Sequence, residues 1–124
     1  MKIVSFKTKA GKIPRAAGPL SGGADSAPFV ALTIKTDEGI EGIGYAGFIS
    51  DVMLKALNDS VYALTEQAIG SDPMDVEAIG KRLMTLGGTG APSGLVTRTV
   101  AAIDVALWDI KGKALGQPVH KLLG

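Results

Sequence analysis

The sequence predicts an α+β fold: a three-stranded antiparallel sheet followed by a three-helix bundle. Three observations carry that prediction. Alternating and β-branched apolar residues fill the first part of the chain, apolar residues at helical spacing fill the remainder, and Gly or Pro marks nearly every junction between them. With 124 residues there is room for one domain around one core.

Residues 3–9 alternate, with Val4, Phe6 and Thr8 on one face and Ser5 and Lys7 on the other, which reads as a strand. Residues 10–28 carry Gly11, Pro14, Gly18, Pro19, Gly22, Gly23 and Pro28, and are predicted to hold no regular element. A loop of that length in a compact domain is usually functional or disordered. Phe29 to Thr36 is again strand-like, Thr36-Asp-Glu-Gly39 supplies a hairpin turn with Gly39 at positive φ, and Ile40 to Tyr45 is the return strand. On that strand Gly42 and Gly44 share one face, where the missing side chains let another backbone approach.

Helical spacing begins after Ser50-Asp51, either of which can cap, with Met53, Leu57, Val61, Leu64 and Ala68 as the buried stripe. A second helix is predicted from Asp72 as cap and Pro73 at the first helical position, with Val76, Ile79, Leu83 and Leu86 facing the core. After the connector Gly87–Gly94, Ser93 caps a third helix that runs to Leu115 and is stopped by Gly116 and Pro118. In that helix Ala101, Ala102, Ile103, Val105, Ala106, Leu107, Trp108 and Ile110 span almost the whole circumference, interrupted only by Asp104 and Asp109. A helix apolar on all sides is a buried helix, so this one is predicted to need a surface beyond its own domain.

Composition excludes several classes. Thirteen Lys and Arg against twelve Asp and Glu, with no basic block, leave no nucleic-acid footprint. Zero cysteines rule out a disulfide scaffold or a thiol nucleophile. No run reaches the roughly 18 apolar residues of a membrane span, and the start alternates instead of forming an apolar signal core, so a cytoplasmic protein is expected.

The individual motifs read as structure. Gly42-Ile-Gly-Tyr-Ala-Gly47 satisfies G-x-G-x-x-G, but the dinucleotide fingerprint lies between a parallel strand and its helix, and these glycines sit within a hairpin strand. Gly87–Gly94 precedes a helix, yet lacks the Gly-Lys-Ser/Thr ending of a phosphate loop. His120, the one histidine, has no second imidazole for a metal pair and reads as a surface residue. Asp109 is spaced to pair with Lys113, and Asp104 is expected to accept hydrogen bonds within the domain. Trp108 reads as packing, its indole nitrogen finding a partner at the core edge. Lys111 and Lys113 complement the dipole of the last helical turn. No residue is assigned a catalytic or metal-ligating role.

The run Ala101-Ala-Ile-Asp-Val-Ala-Leu-Trp-Asp-Ile-Lys-Gly-Lys113, closed by Gly116-Gln-Pro-Val-His-Lys-Leu-Leu-Gly124, resembles the end of the N-terminal domain in the mandelate racemase and muconate lactonizing branch of the enolase superfamily. The resemblance implies a capping domain over residues 1–124, with the family's (β/α) barrel absent from this chain. It implies that Ile13-Pro-Arg15 and Pro19–Gly23 form a first flap over the barrel mouth and Gly47–Ser50 a second. The substrate-binding residues carried over in this way are Arg15, Leu20, Ser21, Gly22, Phe48 and Ile49. In similar acid-sugar dehydratases the second flap often holds basic residues that pair with a distal carboxylate. Phe48 and Ile49 cannot do this, so either Arg15 does or the far end of the substrate is apolar.

For the full-length parent the resemblance implies an isomerase or lyase in which Mg²⁺ stabilises the enediolate formed when a proton leaves the carbon beside a carboxylate. The small carboxylate substrate and the choice among racemisation, dehydration, epimerisation and cycloisomerisation are not fixed by a cap. No cofactor is expected in this chain, which should be inert alone. Its expected partner is the parent's barrel or further copies of itself. The rival reading is a self-standing, non-catalytic oligomerisation or binding module.

Overall fold

The computed structural model describes residues 1–14, 26–47, 49–88, 91 and 94–124. Three strands, β1 (Ile3–Pro14), β2 (Ser26–Thr36) and β3 (Glu41–Ala46), pair antiparallel in the order β1-β2-β3. A 3-10 turn at Asp51–Met53 leads into α1 (Leu54–Glu66), followed by α2 (Val76–Leu86), α3 (Gly94–Leu115) and a short α4 (Val119–Leu122). The predicted α+β order holds, with the helices on one face of the sheet.

The even-numbered residues of β2, Val30, Leu32, Ile34 and Thr36, are buried toward the helices, and the Thr36–Gly39 turn closes with Gly39 at φ 81°. The β1 face differs from the simple alternation. A register shift between Ile3 and Ser5 turns Ile3 into the core and leaves Val4 50% exposed, so only Phe6 and Thr8 of the predicted trio face inward.

The strands also run further than predicted. Pairing continues through Gly11↔Phe29, Lys12↔Pro28, Ile13↔Ala27 and Pro14↔Ser26, inside the segment expected to be irregular. Gly11 fits because the Phe29 ring fills its missing side chain: a Cβ there would lie 2.7 Å from Phe29 Cζ. Pro14 ends its strand, and Pro28 lies beyond the last residue paired with β3, so neither proline interrupts a ladder on both sides.

Gly42 and Gly44 are the hinge of the packing. A Cβ at Gly42 would strike the Ala106 carbonyl, and one at Gly44 the Ala102 carbonyl, so α3 lies with its backbone directly on β3. Gly42 and Gly44 of the G-x-G-x-x-G match thus lie inside β3 and serve strand–helix packing. With α1 and α2 also packed against α3, Ala102, Ile103, Ala106, Leu107 and Ile110 are buried within the domain, so α3 is covered more fully than its apolar count predicts. Ala101 and Val105 remain exposed and Trp108 half-buried.

In α1 the buried residues are Leu57, Val61 and Thr65, and Met53 is exposed. Thr65 is tolerated in the core because its hydroxyl donates to the Val61 carbonyl at 2.6 Å. α2 begins at Val76 and not at Pro73: the Asp72 carboxylate accepts from the Met74 amide at 2.9 Å, forming a turn ahead of the helix. Leu86, predicted in its core stripe, is 53% exposed at the last helical residue. Ser93, the predicted cap of α3, lies outside the described residues. Gly116, at φ 61°, ends α3, and Pro118 then serves as N-cap of the unanticipated α4.

Candidate functional site

The two segments assigned to flaps leave the strands at one end of the sheet. β3 stops opposite Val30, whereas β1 and β2 remain paired out to Pro14↔Ser26, so a two-stranded arm of about four residue pairs, roughly 13 Å long, projects beyond β3. Residues 15–25 connect the strands of that arm, and Gly47–Ser50 leaves β3 at the same end. Arg15, Leu20, Ser21, Gly22 and Phe48 lie outside the described residues. Ile49, the remaining assigned residue, is half-buried and rests against the core.

This end is fastened by contacts that the sequence pattern does not reveal. The Lys12 ammonium lies 3.0 Å from the Asp51 carboxylate, joining the arm to the turn after β3. Arg98, on the first turns of α3, donates to the Gly47 carbonyl at 2.9 Å. Phe29 and Tyr45 stack with ring centroids 6.1 Å apart. Lys12 and Asp51 are separated by 39 residues and Arg98 and Gly47 by 51, so no local spacing rule could have paired them.

At the opposite end of β3, Asp109 behaves as the spacing predicts and does more. Its carboxylate lies 2.7 Å from the Lys113 ammonium and also accepts from the Ile43 amide at 2.9 Å, while Lys113 donates to the Glu41 carbonyl at 2.7 Å. Two side chains of α3 thereby occupy the backbone groups on the free edge of β3, a means of keeping an edge strand from recruiting another chain.

The exposed side of α3 carries Ala101, Asp104, Val105 and Trp108, at the three- and four-residue spacing of one helical stripe. Burial pushes the Asp104 carboxyl above its ordinary value. Among the described residues it has no hydrogen-bond partner, contrary to the expected donors within the domain. The Trp108 indole nitrogen likewise gains no partner among the described residues. Instead the Lys111 ammonium sits 5.1 Å from its ring centroid and donates to the Met74 carbonyl at 3.2 Å, so Lys111 serves a tertiary contact as well as the helix end. Beside this pair lies an open cleft of about 410 Å³, lined by Met74–Ala78, Trp108 and Lys111.

The chemistry available is that of shape and contact. His120 is exposed, Asp109 is committed to β3, and no group of three His, Cys, Asp or Glu side chains among the described residues could hold a metal ion. A Mg²⁺ site does not fit the residues described. Nor is any described helix long and apolar enough to cross a membrane.

Residues 12–124 match the family described as mandelate racemase / muconate lactonizing enzyme, N-terminal domain, and the chain belongs to that family. Within it, this chain is 40% identical over 94 residues to a D-galactonate dehydratase of Pectobacterium atrosepticum, covering 75% of this chain and 24% of that protein. It is 33% identical over 99 residues to the L-talarate/galactarate dehydratase of Salmonella typhimurium, covering 77% and 24%. The crystal structure of L-talarate dehydratase from Polaromonas sp. JS666, complexed with Mg and L-glucarate, superposes with a TM-score of 0.85 at 27% identity, covering 99% of this chain and 32% of that one. The chain therefore spans about a quarter of the length of these curated relatives.

Proposed function

We propose that this domain is the capping and substrate-specificity part of a mandelate racemase/muconate lactonizing-type enzyme that removes the proton beside a carboxylate, and that it is inert alone. The observation that carries the reading is directional. α3 runs antiparallel to β3, so its exposed stripe of Ala101, Asp104, Val105 and Trp108 starts beside Arg98, at the end where both flap segments leave the sheet. A partner covering the stripe would lie next to the flaps. The same stripe would serve a second copy of the chain, but a copy has no need of two loops gathered at its end, whereas a barrel mouth does.

The relatives are named as dehydratases of sugar acids, and a small hydroxy acid is the substrate class we assign to the whole enzyme. Its acid, base and Mg²⁺ ligands belong to the barrel in this reading. In the same reading Arg15, Leu20, Ser21, Gly22, Phe48 and Ile49 make up the substrate-facing side of the cap, Ile49 being also packed against the core, and the enzyme works in the cytoplasm.

A chimera tests the reading. Residues 1–124 replace the corresponding N-terminal part of a D-galactonate dehydratase, and turnover is measured on monoacids and diacids. The chimera is expected to turn over an acid substrate while the 124-residue chain does not, and Phe48→Arg is expected to shift preference toward diacids by about tenfold, the worth of one charge-assisted pair. Turnover by the chain alone, or a chimera whose acid preference ignores every substitution at Arg15 and Phe48, would overturn it.

A further inference from the structure

The segment after β3 is held on both sides of Phe48 by contacts from distant elements. On one side, the buried Gly47 gives its carbonyl to Arg98 Nη1 at 2.9 Å. A side chain at Gly47 would collide with Tyr45, whose Cζ lies 2.8 Å from the Cβ position, so the backbone lies against the hydroxyl end of that ring. On the other side, Ile49 rests on the core, the Met53 amide donates to the Ser50 carbonyl at 3.0 Å, and Asp51 meets Lys12 at 3.0 Å.

Lys12 belongs to the arm, three residues before the start of residues 15–25. Asp51 is thus the one described residue after β3 that grips the arm through charge. Arg98 spends its hydrogen bond on a neutral carbonyl, and among the described residues no carboxylate lies within 4.0 Å of it. Such a residue fixes a backbone position without neutralising its own charge.

We propose that Arg98 is a positioning residue for the second capping segment, and that the Lys12–Asp51 pair couples that segment to the arm, so that Gly47–Asp51 and the arm at Lys12 are held at one spacing. This rests on the capping reading given above. Substrate selection then depends on residues that do not touch the substrate.

Amide hydrogen exchange on the whole chain tests the clamp, and the chimera tests its use. Arg98→Ala is expected to speed exchange of the amides from Ile49 to Met53 by about tenfold, with α2 unchanged and Arg98→Lys partly restoring protection. Lys12→Ala is expected to loosen both that segment and the amides from Gly11 to Ile13. Added salt should loosen them in the parent chain but not in Lys12→Ala. In the chimera, Arg98→Ala should raise KM severalfold with kcat nearly constant. Unchanged exchange from Ile49 to Met53 in Arg98→Ala would overturn the clamp. Faster exchange with KM and kcat both unmoved would leave the clamp standing and overturn the capping role on which its purpose rests.

Discussion

Asp109 and Asp104 sit five residues apart on one helix and take opposite fates, because among the described residues one finds donors and the other finds none. Removing the Asp109 carboxylate strips the Ile43 amide and the Lys113 ammonium of their shared acceptor. Asp109→Ala is expected to cost about 1–2 kcal/mol in urea denaturation, and Asp109→Asn less, since an amide oxygen can still accept from Ile43. Asp104 responds to burial instead. Burial raises its folded pKa above the ordinary 3.8, so the folded state binds the proton more tightly than the unfolded chain. Stability from this group is therefore greatest below pH 3.8 and falls as pH rises through the raised value. Asp104→Asn is expected to flatten that part of the stability–pH profile and to be more stable than the parent at neutral pH. A partner that brings a donor to Asp104 would lower its pKa again.

Among the elements, the contact of α3 with β3 organises the rest, and Gly42 and Gly44 make it possible. Gly44→Ala places a methyl group against the Ala102 carbonyl, where backbone must move and no flexible side chain can yield. It is expected to destabilise by roughly 1–3 kcal/mol, read from thermal or urea unfolding. This contact was legible in the sequence, as were the Gly39 turn and the helix stripes at Leu57, Val61, Ile79 and Leu83, because each follows from a period or a φ requirement of neighbouring residues. The arm was not legible. Its Gly and Pro residues look like breakers until the end of β3 at Ala46 is known, and only that long-range fact frees one side of β2 for Pro28. Val4 was placed on one face with Phe6 and Thr8, and Met53 and Leu86 in helix stripes, for a related reason: a register shift and two helix ends override the period locally. The fastening of the flaps by Lys12 and Arg98 was invisible, since it joins residues far apart in sequence.

At the scale of the molecule, the domain is closed on the sheet side of α3 and open along Ala101, Asp104, Val105 and Trp108. Val105, 51% exposed, contributes little to the fold, so Val105→Asp is expected to leave the unfolding midpoint nearly unchanged. The same substitution should abolish docking, because it puts an unpaired charge in a desolvated interface. Trp108 is the only tryptophan in the chain and reports on this surface directly. With 5-fluorotryptophan in the 124-residue chain, a single ¹⁹F resonance should be seen. On addition of the unlabelled barrel portion of a D-galactonate dehydratase, that resonance should shift and lose its sensitivity to exchange of H₂O for D₂O, and Val105→Asp should prevent both changes. A resonance that stays in place and keeps its solvent sensitivity at saturating barrel concentration would contradict the docking of this helix.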